Sequence, residues 1–415
     1  MRSLTVTVSM FVALLANASA QQIWRVNCSG GPGIDFTDLP PAVAAAAPGD
    51  EIWVYLDAAC PVGWQGYTAP VIDRGVRIVG FNVASSSGPP SIAEIFGLTV
   101  VTGIPHNQSV SISNIHIVNV LNGSSGIVLV DCEGDVLLED VLYRGHTAPG
   151  SYLHIQRCAN VVLRGCEFEQ GGNPLTIIDS NVLLTTTSVW DVTPICGLSI
   201  PTSEGIRVVN SSVTAIGSLI TGADFACWPN HGQQPGVVIE SGVFRVGPGT
   251  LLRGGWLSWP QVPEVAYRLV TPQASIELDP RGAVARLPDP PLPQPVPIDL
   301  PATYHSWAVA GEPVGVSVVG PPSGFALLMV GDWAPGQPPG PFGTLAIAQA
   351  TAVPVALAAL DAAQGLHVWP FLQIPSTAPV AHPFAFQALT IAPDGTLGLS
   401  EPSPLTVGWP HGVIP

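Results

Sequence analysis

Val136-Leu137-Leu138, Val161-Val162-Leu163 and Val182-Leu183-Leu184 are three short apolar triplets, with Val110-Ser111-Ile112 before them and Val213-Thr214-Ala215 after. Their first valines are spaced by 26, 25, 21 and 31 residues. A unit of this size cannot bury its own apolar face and must stack on its neighbours. A period that wanders while the triplet persists predicts a coil whose strands are fixed and whose corner loops vary. Four of the five triplets follow a β-branched run ended by a polar corner: Ile127-Val128-Leu129-Val130-Asp131-Cys132, Leu153-His154-Ile155-Gln156-Arg157-Cys158, Leu175-Thr176-Ile177-Ile178-Asp179-Ser180 and Ile206-Arg207-Val208-Val209-Asn210-Ser211. A third strand follows it, as in Val141-Leu142-Tyr143, Cys166-Glu167-Phe168 and Thr187-Ser188-Val189. Three strands per coil predict a parallel β-helix. Strand side chains alternate faces, so Ile117, Tyr143, Phe168, Val189 and Ile220 are expected to stack inside it.

Composition agrees with an all-β chain. Of 415 residues, 47% are apolar and only 10% charged, with 44 Gly and 44 Pro to interrupt helices. All 13 basic residues are arginine and the net charge is −16. Nucleic acid is therefore excluded as an expected partner, because neutralising phosphate takes clustered Lys and Arg. An anionic membrane surface is disfavoured for the same reason.

Residues 1–20 carry Arg2, an apolar run from Met10 to Leu15 and Ala18-Ser19-Ala20 before Gln21, the pattern of a cleaved signal peptide. The run is too short to span a bilayer, and no later segment is long enough, so a secreted or cell-surface protein without a membrane span is expected. Export makes the seven cysteines readable as disulfides, and position suggests Cys28–Cys60, Cys132–Cys158 and Cys196–Cys227. Only the second has a geometric argument: the two residues hold one position on neighbouring coils, about 4.8 Å apart. Cys166 would then point inward as core.

Gly30-Gly31-Pro32-Gly33-Ile34-Asp35-Phe36-Thr37, then Ala42 to Ala47 and Pro48-Gly49-Asp50-Glu51-Ile52-Trp53-Val54, resembles the entry segment of pectin-lyase-like right-handed parallel β-helix proteins. The likeness spans roughly residues 25–255. It implies a short helix capping the open first coil, and it is nearly silent on activity, because this fold hosts many functions. Residues 21–277 are read as the β-helix, the proline-rich 278–301 as a semi-rigid linker, and 302–415, with seven short apolar runs between turn clusters, as a small β-sandwich. Trp369 to Pro375, Phe384 to Leu389 and Gly398-Leu399-Ser400 resemble a terminal module recurrent in secreted bacterial proteins.

Outward positions of the third strand form two columns, one of Val118, Arg144, Glu169, Trp190 and Thr221, the other of His116, Leu142, Glu167, Ser188 and Leu219. With His146 and Asp191 near by, Arg144, His146, Glu169, Trp190 and Asp191 are the candidate ligand-binding set. Trp190 would stack on a sugar ring while the charged groups bond hydroxyls. Arg144, Glu167, Glu169 and Asp191 are the weak catalytic candidates. No Asp-Asp and Gly-His-Gly signature of polygalacturonase-like hydrolases and no pectate-lyase Asp trio is present. The expectation is thus a non-catalytic surface for polysaccharide or a cell-envelope component, with a polysaccharide lyase or glycoside hydrolase as the alternative. No cofactor is implied beyond a weak Ca²⁺ candidate at Asp131, Glu133 and Asp135, which lacks the loop Gly and distal Glu of a dedicated site.

Overall fold

The computed structural model describes residues 21–56, 66–81, 93–118, 126–144, 153–169, 175–190, 204–222, 235–255, 265–285, 294–305, 313–333, 345–363, 365–373 and 383–406. The chain forms a right-handed parallel β-helix followed by a small antiparallel sandwich. One coil shows the plan. Gly126–Val130 belongs to a leading sheet of eight strands, Asp135–Glu139 to a middle sheet of eleven, and Leu142–Arg144 to a trailing sheet of nine.

Register between coils is in step. Val136 pairs with Val161 and Val161 with Val182, and all three are buried in one interior column. The trailing sheet stacks Ile117, Tyr143, Phe168, Val189, Ile220 and Leu252, each at most 1% exposed. At the start, the helix Leu39–Ala45 buries Leu39, Ala42 and Val43 against the first coils. Asp38 caps it, accepting from Leu39 N at 2.8 Å and from Thr68 N at 2.9 Å.

The corners repeat as regularly as the strands. Between leading and middle strands, Asp131, Arg157, Asp179 and Asn210 all have positive φ, the left-handed conformation that turns the chain in one residue. Asp and Asn tolerate it best, and they also pair along the column: Arg157 Nη2 to Asp131 Oδ2 at 2.9 Å, Asn210 Nδ2 to Asp179 Oδ1 at 2.6 Å.

Beside this column lies one of small polar side chains, and here the structure corrects the Cys132–Cys158 bridge. Both are buried free thiols. They occupy the same stacked position as Ser180 and Ser211, whose hydroxyls bond Ile178 O and Val209 O, each at 2.7 Å. The thiols do likewise, Cys132 Sγ reaching Val130 O at 3.5 Å and Cys158 Sγ reaching Gln156 O at 3.4 Å. The two thiols lie within hydrogen-bond reach of each other yet form no disulfide, each held by the carbonyl two residues back on its own strand. Cys166 is buried in the equivalent column of the next corner, with Thr187 and Ser218. Cys28 is disulfide-bonded, while Cys60, Cys196 and Cys227 lie outside the described residues.

Between middle and trailing strands the left-handed column is Asn114, Asp140, Gly165, Thr186 and Gly217. Asn114 Nδ2 donates to Gly80 O one coil back at 2.6 Å. Asp140 holds the equivalent place but has no amide to donate, and its buried Oδ2 has no partner. Burial pushes its carboxyl up to about 7. The folded state therefore keeps a proton that the unfolded chain releases near pH 4, and this site's contribution is greatest in acid and is lost as pH rises from about 4 to 7. Asp140→Asn supplies the donor and removes the charge. It is expected to stabilise the fold by about 2 kcal/mol at pH 8, after solvent screening at a part-exposed corner, and to have little effect at pH 4. An unchanged urea midpoint at pH 8 counts against this.

Solenoid strands continue into the proline-rich segment: Ala283–Val284 extends the trailing sheet and Val296–Pro297 the middle one. Arg281 ties this end together, bonding Asp279 at 2.8 and 2.7 Å, Asp299 at 2.6 Å and the Gly320 carbonyl at 2.9 Å. Beyond it, Ala302–His305, Pro313–Val319 and Leu366–Gln373 form one antiparallel sheet. Phe325–Asp332, Val353–Ala359, Pro383–Ile391, Leu397–Leu399 and Ser403–Thr406 form the second. Val314, Val316, Val318, Leu328 and Phe386 fill the core between them.

Candidate functional site

The expected wall is the outward face of the trailing sheet. One column runs Glu94, His116, Leu142, Glu167, Ser188, Leu219 and Leu251, and its neighbour Phe96, Val118, Arg144, Glu169 and Trp190. The pleat puts residues two apart on one face, and adjacent rungs lie about 4.8 Å apart. Glu167 and Glu169 are half-buried, flanking inward Phe168. Trp190 is 36% exposed and stands in register beside Glu169. His116 Nδ1 lies 3.3 Å from Glu94 Oε1 at the other end of the wall. Arg144 is in register between Val118 and Glu169 along the backbone. His146 and Asp191 lie outside the described residues. Of the candidate set, Glu167, Glu169 and Trp190 share one face, and Arg144 holds the matching backbone position in the register.

Two of the three acidic residues considered for Ca²⁺ are engaged otherwise. Asp131 binds Arg157, and Asp135 accepts from Asn160 Nδ2 at 3.1 Å. Among the described residues no group of three or more His, Cys, Asp or Glu side chains is arranged to hold a metal ion.

A second surface was missed from the sequence. The outward face of the middle sheet is covered by the C-terminal sandwich: Leu137, Val162, Leu183 and Ile216 pack against Ala302, Trp333, Ile347 and Ala385. The signal was present in the opening triplets. Val136-Leu137-Leu138, Val161-Val162-Leu163 and Val182-Leu183-Leu184 place apolar side chains on both faces of three successive middle strands, as a sheet covered on both sides requires. Within this seam Arg164 and Glu139 form a buried ion pair. His305 faces it from the module, hydrogen-bonded through Nδ1 to Ser403 Oγ at 2.6 Å. Burial, and then the Arg164 charge, hold the His305 imidazole well below its ordinary pKa, so it docks neutral.

Fold and wall define a class, a parallel β-solenoid with a docked antiparallel module and one aromatic, carboxylate-bearing outer face. No protein-family model and no curated protein matches the chain. The likeness to pectin-lyase-like proteins accordingly stands at the level of a β-helix fold.

Proposed function

We propose that this is a secreted, non-catalytic β-helix protein that binds polysaccharide along the outward face of its trailing sheet. The observation that carries the reading is the column Phe96, Val118, Arg144, Glu169, Trp190, in register over successive rungs and ending in an exposed indole. An aromatic face next to a carboxylate suits a sugar ring, whose C–H face is apolar and whose rim is hydroxyl. A solenoid adds rigidity, so the array is organised before the ligand arrives and little ordering entropy opposes binding. Extracellular glycan, or the cell-envelope component that displays it, is the partner class this surface suits.

The test is a panel of neutral and acidic polysaccharides with the mature chain, read by affinity electrophoresis and calorimetry. Trp190→Ala is expected to weaken binding about tenfold, or about 1.4 kcal/mol, with thermal stability unchanged. Equal affinity in Trp190→Ala moves the site off this wall. Release of unsaturated or reducing ends, lost in Glu169→Ala, replaces the binding reading with a polysaccharide lyase or glycoside hydrolase.

A further inference from the structure

Where the sandwich docks, the seam does not close completely. A cavity of about 350 Å³ remains between the middle sheet and the module. That size lies at the lower end of small-ligand pockets, roughly 300–1,000 Å³, and domain seams are where such pockets concentrate. On the solenoid side Asn160 and Asn181 stand in one outward column, with Val162, Leu183, Thr214 and Arg245 in the next. On the module side are Trp333, Ser400 and Glu401.

We propose that this cavity is a second binding site and that it takes a single neutral sugar residue. The seam offers an apolar floor and polar groups left over after folding. Val162, Leu183 and the Trp333 indole supply surface for a sugar's C–H face, and Trp333 Nε1 is buried without a hydrogen-bond partner. Among the described residues no side-chain hydrogen bond engages the Asn181 amide or the Glu401 carboxyl. Asn160 uses its Nδ2 on Asp135 and keeps its carbonyl oxygen for a ligand. Amide, carboxyl and guanidinium together both donate and accept, as hydroxyls do.

Charge selects against acidic sugars. Arg245 already pairs with Glu277 at 2.7 Å and bonds Ser212 at 2.9 Å, so the guanidinium is balanced before any ligand enters. Glu401 lines the cavity and Asp135 stands next to Asn160. Burial raises both carboxyls, Asp135 to about 6, against the opposing pull of Arg245 on Glu401 and of Asn160 on Asp135. A uronate would add a further carboxylate to a poorly hydrated seam that has no unbalanced cation to meet it.

The site lies on a different sheet from the wall, so either can fail alone. The experiment uses residues 21–415 with glucose, galactose, mannose, N-acetylglucosamine and galacturonate, followed by saturation-transfer NMR and calorimetry. At least one neutral sugar is expected to bind, with affinity reduced at least tenfold in Asn181→Leu and in Glu401→Gln and unchanged in Trp190→Ala. Asn181 is exposed on the solenoid side, so its replacement leaves the core intact. Three results overturn the assignment: no neutral sugar binding at millimolar concentration, galacturonate binding more tightly than every neutral sugar, or binding lost in Trp190→Ala and kept in both cavity variants.

Discussion

Phe168→Ala is expected to lower the unfolding free energy by about 3–5 kcal/mol. Phe168 is 1% exposed and stands in register between Tyr143 of the coil before and Val189 of the coil after. In a solenoid each coil contacts only its neighbours, so the side chain has no alternative packing when a ring-sized void opens. Stability there is close to a sum of nearest-neighbour terms, and the void weakens two interfaces at once. Phe168→Leu keeps most of the volume and is expected to cost about 1–1.5 kcal/mol. Ser188→Ala, on the outward face of the next rung, is expected to stay within about 0.5 kcal/mol. Urea unfolding of the three variants orders them, and a Phe168→Ala loss below 1 kcal/mol contradicts the stacked interior.

Glu139→Gln is the second large effect, again about 3–5 kcal/mol, for an electrostatic reason. Glu139 is 1% and Arg164 8% exposed, and the sandwich covers the sheet face on which they stand. Burial is the largest influence on Arg164, whose pKa is lowered to about 10, and its guanidinium donates through Nη1 to the Glu139 carboxylate. Removing that charge leaves a cation beneath a docked module whose facing imidazole, His305, is also held uncharged. Replacing both partners by Leu is expected to restore stability or exceed the wild type, since a well-packed apolar pair avoids the desolvation cost. Urea unfolding and limited proteolysis of the module read the effect; a Glu139→Gln variant as stable as the double Leu variant refutes it. Acid works in the same direction at His305. Its folded pKa lies below the ordinary value, so its contribution is complete above about pH 6.5 and is lost as pH falls, because the unfolded chain takes up a proton that the docked state refuses.

Of these two sites, the first is legible in the sequence and the second is not. The interior column was legible because period-two alternation and recurrence of Val136, Val161 and Val182 are properties of the chain itself. The trailing-sheet columns followed from the same counting, and their register is the one expected. Glu139 and Arg164 were not singled out, since a charged residue at a strand end reads as solvated until something packs over it. Trp333, Glu401 and Asn181 meet across more than two hundred residues of chain, a separation that no local pattern spans. The cysteines differ again: their stacking on neighbouring coils is legible in the spacing, whereas the hydrogen bonds that hold both thiols free in the buried column are a property of the folded corner.

By itself, then, the sequence determined the solenoid, its three strands per coil and the face of each strand, because hydrophobic periodicity and corner chemistry act between residues a few positions apart or one coil away. Tertiary structure alone decided that the module docks on the middle sheet, which charges are buried there and where a cavity remains. Those outcomes depend on the shapes of two finished surfaces meeting, and a surface exists only after its strands have stacked.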